Sequence, residues 1–161
     1  MRPVAIATLA FILLGTALLL ADCGDPSQGA PRPGPISGER ALEHVRRMVA
    51  FGPRPSASAN LIRTRDYIES EVGKLGLTPV RDTFTFENAP GVTFHNVSAE
   101  IPASRPGEQR VLVLGSHYDT KLCKGHKEPW HNFEFVGAND GGSSSGLLLE
   151  LARHFKAEPL P

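Results

Sequence analysis

Residues 111–120 read VLVLGSHYDT, and residues 137–146 read GANDGGSSSG. The first stretch opens with four apolar residues, Val111 to Leu114, and then turns polar. A short unbroken apolar run predicts a strand buried on both faces, as in the middle of a parallel sheet covered by helices. Open α/β sheets bind ligands beyond the carboxyl ends of their strands, where loops converge and helix amino termini point inward. Gly115–Thr120 stands at such a place. In extended chain, positions 117 and 119 project to the same side. The imidazole of His117 can then offer a nitrogen to a metal while Asp119 holds the ring or lies beneath the ion.

The second stretch leads into a helix. Its four glycines open backbone conformations closed to other residues. Asp140 stands just ahead of the helix, where a carboxylate can bind or bridge a cation. The serines are expected to cap the free N–H groups of the first helical turn. Each cluster also has a plainer role, since His and Asp often only hydrogen-bond loop backbone and Asp favours turns. Two such clusters about twenty residues apart, both at strand ends, favour a site. A rival reading takes Gly142-Ser143-Ser144-Ser145-Gly146 as G-x-S-x-G, with Ser144 as nucleophile. That elbow needs a strand running straight into it, and the possible strand 133–136 is cut off by a polar, glycine-rich turn. The one histidine that follows, His154, lies in the same helix.

Outward from these clusters, Leu42, Val45 and Val49 recur at helical spacing and Gly52-Pro53 ends that helix. A second helix is expected from Ser58 to Leu75, burying Leu61, Ile68, Val72 and Leu75 and stopping at Gly76. Phe51-Gly52-Pro53-Arg54-Pro55 reads as an ordered turn between them. Val80, Phe84 and Phe86 alternate with polar residues, which predicts a strand with one wet face. Residues 92–101 read as a second strand whose alternation slips between Phe94 and Val97, predicting a bulge at His95-Asn96. The closing helix, 144–155, is expected to bury Leu147, Leu148, Leu151 and Phe155. Helices, strands and helix in this order point to an α/β sandwich.

The 161 residues have room for one domain, 39–161, with a sizeable core. Seventeen basic and seventeen acidic residues balance, so there is no electrostatic footprint for nucleic acid or anionic membrane. Arg2 followed by an apolar run from Val4 to Leu20 predicts an export segment, residues 1–22. The run exceeds the roughly 7–15 residues of a cleaved signal core and just reaches the about 17 needed to span a bilayer. Both a cleaved signal and a retained anchor fit. Leu20-Ala21-Asp22-Cys23 resembles a lipoprotein cleavage box, with Asp22 departing from the usual small residue. Either way the rest is expected outside the cytoplasm: periplasmic, extracellular, or anchored facing outward. Membrane contact would come only through this segment or lipid on Cys23. Residues 23–38, rich in Pro and Gly, read as a linker. Cys123 lies in a loop, so the two cysteines imply no disulfide framework; a partly buried thiol is expected there.

Three stretches together resemble metallopeptidase family 28: FGPRP (51–55), GSHYDTK (115–121) and FVGANDGGSSSGLLLELAR (135–153). That family contains zinc aminopeptidases and glutaminyl-peptide cyclotransferases, and the resemblance covers about residues 40–158. It implies a three-layer α/β sandwich with a central mixed, largely parallel sheet (phosphorylase/hydrolase-like), truncated in this chain. The implied activity is on peptide or protein amino termini. Lys121, the insertion Gly125–Asn132 and the FVGA approach to Asp140 resemble the cyclotransferase branch more; the Asn139–Ser143 turn suits both branches. Carried over by position, Asp140 is a metal ligand in both branches. His117 is a ligand of the second zinc in an aminopeptidase only, so the cofactor is one Zn2+ in the first branch and two in the second. Asp119, the candidate catalytic residue, matches the carboxylate supporting His117 or the metal region. His126, Trp130 and His131 have no family counterpart and read as a solvated loop. The family's acidic pair and final His ligand have no counterpart before Pro161. Three or four ligands are needed for a tight site, so the chain alone is expected to bind metal weakly and catalyse little. A third reading is a metal-free exported binding module.

Overall fold

The computed structural model describes residues 36–105 and 111–160. The export segment, Cys23 and most of the linker lie outside the described residues. Among the described residues no helix is long and apolar enough to cross a membrane.

Helix α1 spans Gly38–Ala50. Ser37 caps it, its hydroxyl accepting the Arg40 N–H at 3.2 Å, and the chain leaves through Phe51 toward Gly52-Pro53, as expected. Helix α2, Ala59–Lys74, starts on Ser58, whose hydroxyl accepts the Leu61 N–H at 3.1 Å. Strands β1, Val80–Thr85, and β2, Thr93–Ser98, form an antiparallel pair. Helix α3 spans Ser144–Ala157.

The core joins α2 to α3. Val72, Leu77 and Leu149 are buried together, with Tyr67, Ile68, Leu75 and Ile101 packed around them. Helix α3 meets α1 at Gly146, where a Cβ would lie 2.6 Å from Ala41 O and 2.9 Å from Val45 Cγ2. That close approach turns Ser145, Leu149 and Glu150 inward. Leu147, expected in the core, is consequently exposed, as is Leu42 on α1, while Met48 is fully buried.

At the same contact Glu150 is buried and fully satisfied. It accepts from Arg153 Nε and Nη2 (both 2.8 Å), Arg40 Nε (3.0 Å) and Nη2 (2.8 Å), and the Ser37 N–H (2.7 Å). Arg153, with Arg40 and Ser37 N–H behind it, holds this carboxyl far below the usual carboxylate range, against the opposing pull of burial.

Two expectations about strands are corrected. No bulge occurs in β2, which pairs residue for residue with β1, Asn96 opposite Asp82 and His95 opposite Thr83. The alternation slips because Phe94 and Val97 lie on opposite faces. Phe94 stacks on Phe84 at 5.7 Å between ring centres, with Phe86 edge-on to both. The second correction concerns Val111–Leu114, which is neither a strand nor buried: Val111 is 83% and Val113 81% exposed. A central strand needs neighbours on both edges, and among the described residues β1 and β2 pair only with each other. Residues 133–136 likewise form no strand. The architecture is thus mixed helix and sheet, with one two-stranded sheet among the described residues.

Candidate metal centre

His117, Asp119 and Asp140 meet. His117 Nδ1 lies 3.2 Å from Asp119 Oδ1, and its Nε2 lies 3.0 Å from Asp140 Oδ1. The imidazole is therefore gripped between carboxylates from two backbone segments. Asp119 orients the ring and Asp140 faces its other nitrogen.

The chain between Gly137 and Ser143 makes this possible. It forms a wide turn in which Asp140 is extended (φ −78°, ψ 101°) and Gly141 is left-handed (φ 82°). A Cβ at Gly141 would come within 2.9 Å of His117 O and 3.0 Å of His117 Cε1. Only glycine lets the turn ride over the histidine while carrying Asp140 back to Nε2.

The serines have a different role from the one expected. Ser143 donates to Asn139 O at 2.7 Å and makes no capping bond to the helix. Ser145 donates to His117 O at 2.9 Å. The Ser144 hydroxyl lies 2.6 Å from that of Ser116 and has no histidine partner. The Ser144 and Ser145 hydroxyls fasten the helix start to the 116–117 segment, which leaves no activated nucleophile for the elbow reading.

Arg54 is the residue that sequence reasoning missed. Its side chain has no solvent exposure. It donates from Nε to Tyr118 O (3.0 Å), from Nη1 to Val136 O (2.7 Å) and Met48 O (3.3 Å), and from Nη2 to Gly137 O (3.1 Å). Its own backbone exchanges bonds with Thr120, accepting from Thr120 N at 3.0 Å and donating to Thr120 Oγ1 at 2.9 Å. Burial pulls the guanidinium below its ordinary range, and the negative charge of Asp119 opposes that shift. The signal available in the sequence was one arginine between two prolines in an otherwise apolar turn.

Beside the site an open groove of about 430 Å³ is lined by Leu61, Ile62, Phe84, Phe94, His117 and Asp119, among others. Tyr118 closes one wall by donating to His95 O at 2.7 Å; burial raises its phenol above the ordinary value. Trp130, His126 and His131 lie exposed, with the two imidazole rings 4.9 Å apart. Cys123 is a partly buried free thiol.

The donor set suits zinc in kind. Nε2 of His117 and Oδ1 of Asp140, both lone-pair atoms when the ring is neutral at Nε2, are 3.0 Å apart. They need a proton or a cation between them. Tetrahedral zinc at bond lengths of about 2.0–2.2 Å spaces its ligands by a similar distance. In number the set falls short. Among the described residues no three His, Cys, Asp or Glu side chains converge on one ion position.

Residues 96–161 match the model of peptidase family M28. This likeness covers about two fifths of the chain. A glutaminyl-peptide cyclotransferase-like protein of Bos taurus is 36% identical over 107 residues, 65% of this chain and 26% of the bovine protein. The crystal structure of Fimbriiglobus ruber glutaminyl cyclase superposes with a TM-score of 0.63 at 28% identity, covering 83% of this chain and 45% of that one. A leucine aminopeptidase precursor from Bacteroides thetaiotaomicron shares the fold, with a TM-score of 0.66, 20% identity and 81% and 45% coverage. The chain thus spans about a quarter of that curated relative and under half of either solved structure.

Proposed function

We propose that this chain supplies the His117–Asp119–Asp140 rim of a zinc-dependent enzyme acting on peptide amino termini, with cyclisation of amino-terminal glutamine as its reaction. The observation that carries this is the 3.0 Å approach of His117 Nε2 to Asp140 Oδ1, in a chain whose curated relatives include glutaminyl-peptide cyclotransferases. In this reading the fold is a three-layer α/β sandwich, and the amino-terminal segment exports it.

Asp140, and His117 where a second ion is held, would be the zinc ligands. Bound zinc supplies a Lewis acid that polarises the substrate's amide carbonyl. Asp119 accepts the Nδ1 hydrogen of His117, which fixes the tautomer and aims Nε2 at Asp140. The wall formed by Leu61, Ile62, Phe84 and Phe94 would shield the side chain following the amino-terminal residue. Cyclisation uses the substrate's own amine as nucleophile, which agrees with serine hydroxyls that are all engaged elsewhere.

Incubating the enzyme to which this chain contributes the rim with a glutamine-initiated peptide tests the proposal. Ammonia release with the peptide bonds intact is expected, whereas hydrolysis of leucine amide with two zinc ions per chain would identify an aminopeptidase instead. Asp140→Asn is expected to weaken Zn2+ retention about tenfold or more in chelator competition, and His117→Ala to do so where a second ion is held. Retention unchanged in both variants would remove these residues from the metal site.

A further inference from the structure

We infer that Arg54 is the positioning residue of this rim, fixing the separation of its two backbone segments by gripping main-chain carbonyls of both. The inference rests on the proposed metal site for one of its two readouts only.

A guanidinium is planar, and its donors have fixed relative directions. Here Nε holds the carbonyl of Tyr118, between His117 and Asp119. The two Nη atoms hold the carbonyls of Val136 and Gly137, four and three residues ahead of Asp140. One rigid group thus spans the backbone that presents the imidazole and the backbone that presents the carboxylate. The bond to Met48 O ties both to the end of α1.

Gly137 shows how closely the parts are fitted. Its carbonyl accepts from Arg54 Nη2 and also from the Gly142 N–H at 3.1 Å, which closes the turn carrying Asp140. A Cβ there would lie 2.6 Å from Thr120 Cγ2 and 3.3 Å from Arg54 Nη2.

Stability alone would not select such an arrangement. A cation stripped of water and bonded to neutral carbonyls is costly, and an apolar side chain of similar volume is often as stabilising at a buried charged position. What an apolar residue cannot supply is the angular relation between the two segments. Lysine cannot either, since its three donors radiate from one atom. Metal ligands tolerate displacements of only about 0.2 Å, so loosening by a fraction of an ångström separates the pair.

The test compares Arg54→Lys and Arg54→Met with Val72→Ala, a core truncation away from the rim, all in the full chain. Amide hydrogen exchange is read at Thr120, Gly142 and the amides of α2, and Zn2+ affinity by chelator competition. Both Arg54 variants are expected to speed exchange at Thr120 and Gly142 well beyond any change in α2, and to weaken zinc about tenfold. Val72→Ala, at comparable loss of thermal stability, should raise exchange throughout and leave zinc affinity within about twofold. Thr120→Val, which removes only the hydroxyl accepting the Arg54 N–H, should give a smaller loss in the same direction and serves if the Arg54 variants do not fold. Arg54→Lys indistinguishable from the parent in rim exchange, or Val72→Ala weakening zinc equally, overturns the assignment. If the parent retains no zinc while the Arg54 variants still loosen the rim selectively, the metal proposal fails and the positioning role stands.

Discussion

Val111–Leu114 and Tyr118–Thr120 are separated by three residues, yet their surroundings are opposite. The apolar stretch lies bare, with no strand at either edge among the described residues. The polar stretch is held by Arg54 at the Tyr118 carbonyl and by mutual bonds between Arg54 and Thr120, while the Tyr118 hydroxyl reaches β2. Apolarity states only that a segment gains from being covered. It does not name what covers it, whereas directional hydrogen bonds name their partners.

The largest effect should come from breaking the held side. Gly137→Ala puts a methyl group against Thr120 and Asp140 O at a left-handed position (φ 56°). A loss of about 3 kcal/mol or more in urea unfolding is expected, from overpacking and backbone strain together. A loss under about 1 kcal/mol would mean that the rim yields and is not rigid.

Glu150 extends the contrast to the helices, being another group positioned by named polar partners. Glu150→Gln should cost about 2–3 kcal/mol, because two arginines and an N–H lose their charged acceptor. Its carboxyl titrates far below the usual carboxylate range in the folded chain, so on acidification the unfolded state takes up the proton first. Stability from this group is complete above about pH 5 and is lost as pH falls through the unfolded value toward the folded one. Thermal unfolding between pH 7 and pH 3 should show a steeper acid decline in the parent than in Glu150→Gln. Parallel curves would contradict the clamp.

The smallest effect belongs to the bare side. Val113→Thr should change the stability of this chain by no more than about 0.5 kcal/mol, since the valine is 81% exposed. A loss above about 1 kcal/mol would show that the strip is covered after all.

What could be read from the sequence was local. The start of α2 was marked by Ser58 ahead of apolar periodicity and its stop by Gly76, because caps and periodicity act within a few residues. The meeting of His117 with Asp140 was legible because both lie in polar, chemistry-bearing segments, one directly after an apolar run and one directly ahead of a helix. The missed features depend on distant neighbours. Leu147 was assigned to the core, but the approach at Gly146 chose a different stripe of α3. A bulge was read into β2 although its two large apolar residues only serve opposite faces. The serine run looked like a set of caps, but the hydroxyls of Ser144 and Ser145 instead bind a segment nearly thirty residues away. The roles of Arg54 and Glu150 were missed because nothing nearby in sequence reveals their distant partners, Tyr118 at 64 residues and Ser37 at 113.

The clamp at Glu150 also orders events as the chain is made. Ser37 and Arg40 emerge first, yet their carboxylate partner follows 113 and 110 residues later. Until residue 150 leaves the ribosome or a secretion pore, the start of α1 lacks its closing contact. Such long loop closures slow folding and leave apolar surface open to other chains. A chain of this design gains from a holding chaperone during that interval, and slower elongation past residue 150 would lengthen the exposure.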